Sequence, residues 1–400
     1  MQQKNDLLGN IFFTEYDEKI TGSSMRDPLG LEPIWSYYGR RVIKHLTTVS
    51  ADIRGFREVL LCLSVCENVM NRQGGGDFRE MILIFEQLFI YSAIKNGLND
   101  GIIGADNGNS RYRVGNGNPV VSGTDTILVR EISLGYYGRY KTPLLTMKII
   151  DKYSHVRNDI DVESLYGSER YNSIADAFEA FLNFKQEERS FKKYKASDRL
   201  FEAVCENWRA EEEKFWLESL QISGGNSDAM MEECYCACAS QDRVEDMFRG
   251  LPQHDEVSDI LKLEPFLVCV ESVFYRVLSS KNISAVALDE DTLKEHRARF
   301  DEFKNVSEPT GVASEIVKKR MKTLKSCSPD SPQYVENVIK FHRDVSNQKH
   351  SSVWLEDEPD GAVQVFVQPD ISDIDINKWG RNYYMSSLLG IRKGIEGLRQ

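Results

Sequence analysis

The chain has 400 residues, 41% of them hydrophobic and 28% charged. That composition excludes a mainly disordered chain, and the length closes a core without a metal or a disulfide. The formal net charge of −12 repels polyanions, so it excludes non-specific coating of nucleic acid and leaves only local contacts with DNA or RNA.

No run reaches the roughly 18 apolar residues of a membrane-spanning helix. The best stretches, 59–65 and 81–84, soon meet Glu67 and Glu86. The start MQQKNDLLGN has neither the basic opening nor the apolar run of a secretory signal, so a cytoplasmic protein is expected. The eight cysteines are scattered, and they read as reduced core thiols rather than a disulfide framework.

In chain order, residues 50–96 predict two consecutive helices. The first is capped by Ser50 and keeps Phe56, Leu60, Leu63 and Val69 at helical spacing; QGGGD breaks it, and Asp77 caps the second. The stretch 96–123 is rich in Gly and Asn and predicts turns, with a short hairpin around 111–114. Its length far exceeds an ordinary connection of about 4–6 residues, and such loops are functional or disordered. Helical periodicity returns through Ile132 and Leu134 until Pro143 interrupts it, and a longer helical tract fills 170–222.

SGGNSD at 223–228 is the best linker in the chain. It divides the sequence into an N-terminal helical domain, 1–222, and a C-terminal helical domain, 229–400. Helices are predicted over about 228–249, 256–280, 290–305, 311–325 and 332–346, the last opened by Ser331 and Pro332. Two alternating runs around an Asp-Gly turn predict a β-hairpin at about 351–368, and a helix over about 382–398 closes the chain. The expected fold is mainly α: a multi-helix globular protein of two helical parts with a small β-hairpin near the C-terminus.

Tyr-Tyr-Gly-Arg occurs twice, at residues 37–40 and 136–139, and WGRNYYMSS from Trp379 rearranges the same letters. Tyr37, Tyr38, Arg40, Arg41 and Lys44 in one copy, and Tyr136, Tyr137, Arg139, Tyr140 and Lys141 in the other, interleave rings that can stack on bases with cations that can meet phosphates. They are the candidate binding residues. The competing reading packs the tyrosines in the core, pairs the arginines with acids such as Glu32, Glu131 or Asp52, and leaves Gly39 and Gly138 to make turns.

Other stretches carry less. VGNGNP lacks the Gly-Lys-Ser/Thr ending of a phosphate loop. In ECYCACAS a helix would place Cys234 and Cys238 on one face and Cys236 elsewhere, without the second ligand pair of a zinc site. His342, Asp344 and His350 form the densest histidine group and read as helix surface. The sequence therefore implies no metal and no cofactor, and no catalytic residues can be assigned.

The leading expectation is a non-catalytic helical subunit of a cytoplasmic multiprotein assembly, with other protein subunits as partners and no membrane. DNA handling or bacterial anti-phage defence is its natural setting. The alternatives are a nucleic-acid-binding protein that uses the YYGR segments, and a hydrolase or transferase with a dispersed active site in which Arg40 and Arg139 clamp an anion.

Overall fold

The computed structural model describes residues 27–206, 208–222, 228–241, 243–311, 315–367 and 374–399. Among them, seventeen α-helices and a two-stranded antiparallel sheet make a mainly α protein. No helix of the described residues is long and apolar enough to cross a membrane. The chain forms two compact units, one from His45–Tyr235 with the segment that starts at Ser386, the other from Cys236–Met385 with the segment that ends at Lys44. The expected linker at 223–228 lies outside the described residues except for Asp228.

Helix α1 (Glu32–Val42) belongs to the second unit. The first unit is built on α2 (Ile53–Gln73) and α3 (Phe78–Lys95). Asp52, rather than Ser50, caps α2 by accepting from Arg54 N, while Ser50 Oγ accepts from Thr47 N in the preceding turn. Asp77 caps α3 by accepting from Arg79 N and Glu80 N. Helix α3 is buried almost all round, which marks it as the centre of this core. Around the pair lie α4 (Ala105–Val114), α5 (Glu131–Leu134), α6 (Tyr136–Thr146), α7 (Val162–Tyr166), α8 (Ser168–Leu182), α9 (Ser197–Cys205) and α10 (Ala210–Ser219).

Two expectations in this unit are corrected. The Gly/Asn-rich stretch forms helix α4 instead of a hairpin at 111–114, because packing supplies what its composition lacks. A Cβ on Gly108 would come within 2.9 Å of Ile90 and Ile94, so glycine lets α4 lie close against α3. Pro143 does not end a helix but sits inside α6. Buried Arg57 of α2 ties the unit together, donating to both oxygens of Glu212 at 2.6 and 3.0 Å and to the Val204 carbonyl at 2.7 Å.

Helix α11 (Ala229–Ser240) follows, and then the second unit continues with α12 (Val244–Gly250), α13 (Asp255–Ser280), α14 (Glu290–Phe303), α15 (Glu315–Leu324) and α16 (Tyr334–Lys349). The 26-residue α13 is its axis, packed by α1, α12, α14 and α16. Strands β1 (Leu355–Asp357) and β2 (Val363–Val365) pair with Leu355 opposite Val365, which places the hairpin where the Asp-Gly turn predicts it. Helix α17 (Met385–Leu398) closes the chain.

Two further corrections concern this unit. Helix α16 begins at Tyr334, not at Pro332, because Ser331 Oγ accepts from Gln333 N in a local turn. His342 is buried rather than on a helix surface, and its ring joins Pro28 O (2.7 Å at Nδ1) to Trp354 N (2.9 Å at Nε2).

Candidate functional site

The second Tyr-Tyr-Gly-Arg copy opens α6 in the first unit, with all three of its tyrosines in the core. Tyr136 Oη accepts from Ile103 N at 3.1 Å, Tyr137 Oη meets Ser154 Oγ at 2.8 Å, and the Tyr140 ring lies edge-on to Phe56 with centroids 4.8 Å apart. A Cβ on Gly55 would stand 2.1 Å from the Tyr140 ring, and one on Gly138 would stand 2.2 Å from the Ser133 carbonyl oxygen. Glycine here lets a ring and a main chain approach. Arg139 Nε donates to Leu134 O at 2.8 Å, and Lys141 Nζ lies 5.4 Å from the Tyr137 ring centre. The faces that would stack on bases are covered, and any binding by this segment falls to Arg139 and Lys141.

The first copy lies on α1 in the second unit. Tyr38 is buried and donates to Ser307 O at 2.6 Å, and Tyr37 Oη accepts from Thr310 N at 2.8 Å. Arg41 meets Glu256 at 3.2 Å and Asp259 at 3.5 Å. Arg40 is exposed, 6.0 Å from the centre of the Tyr384 ring, and Lys44 is half-buried. Two of the acids expected to pair with these arginines are engaged elsewhere, Asp52 with Arg54 and Glu131 with Leu128 N, while Glu32 feels Arg40 only as one of several nearby charges.

The third stretch closes against that same helix. Glu264 of α13 accepts from Gly380 N (2.8 Å), Arg381 N (3.2 Å) and Tyr383 Oη (2.7 Å), and the Arg381 guanidinium bridges Glu264 and Glu271. Tyr383 and Tyr384 both take the left-handed conformation, with φ of 47° and 67°, and Tyr384 packs on Trp35 and over Gly39. The repeated letters are used mainly for close packing in both units.

What the sequence does not announce is the turn at 124–135, just before the second copy. Its main chain is fixed by side chains. Arg111 donates to the carbonyls of Asp125 (3.1 Å) and Thr126 (2.7 Å), Asn107 Nδ2 to Ile127 O (3.1 Å), and Thr126 Oγ1 to Leu128 O (2.7 Å), while Glu131 Oε2 accepts from Leu128 N (3.2 Å). Ile127 anchors it from below. Its outer side shows Val129, 90% exposed, and Leu134, 50% exposed, with Arg130 and Ser133 also exposed.

The base of this turn is acidic and buried. Glu58 of α2, Glu86 of α3 and Glu131 of α5 are all shielded from solvent. Burial raises all three carboxyls, to about 8 for Glu86 and about 7 for Glu131, and Glu58 goes well above the usual range, with the neighbouring acids adding to the rise at Glu58 and Glu86. Among the described residues no three His, Cys, Asp or Glu groups are arranged to hold a metal ion. The one trace of this cluster in the sequence is Glu86, a charge inside the apolar run MILIFEQLFI.

A separate open cavity of about 500 Å³ in the same unit is lined by His45, Thr146, Met147, Lys148, Glu218, Ser219 and Gln221. His45, Lys148 and Gln221 all have left-handed backbones, with φ of 63°, 59° and 57°. Lys148 and Gln221 stand where glycine usually ends a helix, since Ile149 N donates back to Leu144 O and Ile222 N to Leu217 O at the ends of α6 and α10. Thr146 Oγ1 donates to Pro143 O at 2.9 Å and lies 3.3 Å from His45 Nδ1. Its proton is committed to the main chain rather than to the imidazole, which is not the arrangement of an activated nucleophile.

Comparisons with protein-family models, curated proteins and solved structures found no match.

Proposed function

We propose that this chain is a non-catalytic subunit of a cytoplasmic multiprotein assembly, and that it docks a protein partner through the 124–135 turn. The observation that supports this is the exposure of Val129 and Leu134 on a main chain already fixed by Arg111, Asn107, Thr126 and Glu131. A rigid apolar projection gains area on binding while losing little conformational entropy, which is how interface anchors gain affinity. Arg130 beside it is the residue type that interfaces favour.

The nucleic-acid reading draws less support, because three tyrosines of the second copy are buried and Arg41 is held by two carboxylates. In a DNA-handling or anti-phage setting, contact with nucleic acid would then fall mainly to the partners.

The test is a native pull-down at low and high salt with a nuclease-treated control, run on the wild type and on Val129→Glu/Leu134→Glu. Companion proteins that survive nuclease and salt with the wild type and vanish with a folded variant are the expected result. The same companions on both proteins, or nucleic acid as the sole salt-sensitive companion, would overturn the reading.

A further inference from the structure

The carboxyls beneath the turn are unusual in what they lack. Both oxygens of Glu58, Oε2 of Glu86 and Oε1 of Glu131 have no hydrogen-bond partner although they are buried. The other two oxygens hold the chain within the turn and just beyond it, Glu131 Oε2 accepting from Leu128 N and Glu86 Oε1 accepting from Tyr137 N. Gly135 lies between the acids: a Cβ there would be 2.3 Å from Glu86 Oε2 and 3.3 Å from Glu131 Cγ.

The groups that face the cluster do little to neutralise it. Helix α2 adds the buried thiols Cys62 and Cys66, α3, α6 and α7 bring the buried phenols Tyr91, Tyr136 and Tyr166, and α6 also offers main-chain N–H groups at its start. Helix α4 brings Arg111, whose guanidinium is bonded to Asp125 and acts on Glu131 only as a more distant charge. A neutral acid is tolerated in such a place, whereas an unpaired carboxylate is costly.

We propose that Glu58, Glu86 and Glu131 form a proton-dependent latch, which clamps the 124–135 turn while the acids are neutral and releases it when they ionise. The turn is what gives way because α5 has only four residues, and Val129 before it and its own Leu134 already face solvent, while α2 and α3 are long and buried. Burial places the Glu131 and Glu86 transitions at about 7 and about 8, so release runs in the alkaline direction. Only the consequence for a partner rests on the docking reading; the latch itself is measured on the isolated protein.

Amide exchange of residues 124–140, corrected for the intrinsic pH dependence of exchange, tests it between about pH 6.5 and about pH 9. Protection of that segment is expected to fall roughly ten-fold or more over this range while α2 and α3 keep theirs. In Glu86→Gln/Glu131→Gln the same segment is expected to be flat. Unchanged protection in the wild type, an equal fall in the variant, or a fall shared by α2 and α3 would overturn the latch. Should the double variant fail to fold, Glu131→Gln alone still offers an acceptor to Leu128 N. Carboxyl carbon NMR on the wild type decides independently: all three acids titrating near the ordinary value of about 4.3 would overturn it.

Discussion

The two copies of Tyr-Tyr-Gly-Arg differ most at the glycine. On Gly39 a methyl group would lie 3.2 Å from the Tyr384 ring, which a side chain can accommodate by a small shift. On Gly138 it would lie 2.2 Å from a main-chain oxygen, which cannot move without breaking the entry to α6. Gly138→Ala is therefore expected to cost about 1–3 kcal/mol. Gly39→Ala should be within about 1 kcal/mol of neutral, since alanine's helix propensity offsets the crowding. Chemical denaturation of the two variants checks the order, and equal costs would mean that packing does not explain the motif. The sequence shows the letters but not which atom faces each glycine, so the binding and packing readings of these tyrosines could be separated only by burial.

At the scale of elements, what was legible follows how local the determinants are. Helices α2 and α3 could be read because their apolar spacing lies within the segment, and Asp77 caps α3 as read. Helix α4 could not, because its Gly and Asn residues are poor helix formers and its place depends on Gly108 lying against Ile90 and Ile94 of α3 and on Arg111 bonded to the 124–135 turn, partners outside its own segment. Glu264, Arg381 and Tyr383 form a similar long-range clasp, spanning more than a hundred residues, and no local pattern reports it. Arg381→Met would leave buried Glu264 and half-buried Glu271 beside each other without their shared cation, and is expected to cost about 3–5 kcal/mol. Arg343→Ala breaks only an exposed pair with Asp357 and should cost under about 1 kcal/mol. Thermal unfolding of both variants compares them, and similar losses would show that the clasp contributes no more than a surface pair.

For the whole molecule, the titratable groups buried in the two units predict opposite pH limits. In the first unit the Glu86 and Glu131 carboxyls have raised folded values, so they contribute no penalty below the unfolded value of about 4.5. The unfolded chain ionises above it while the folded unit does not, and the penalty grows as pH rises until it is complete above about 8. In the second unit the sign is reversed. Burial lowers His342 and brings His296 down to about 4, and His342 Nε2 must stay unprotonated to accept from Trp354 N. These histidines carry no penalty above the unfolded value of 6.5, and their cost grows as pH falls from there toward about 4. Amide exchange of residues 124–140 is thus expected to report falling stability on the alkaline side while α2 and α3 keep their protection, and that of α13 and α16 falling stability on the acid side. Glu86→Gln should stabilise the 124–140 segment against opening by about 1–3 kcal/mol at about pH 8 and leave it nearly unchanged at about pH 5. Because Gln still offers Oε1 to Tyr137 N, the gain reports the unpartnered oxygen rather than the cap; a loss at about pH 8 would mean that the charge on Glu86 is needed to hold α6.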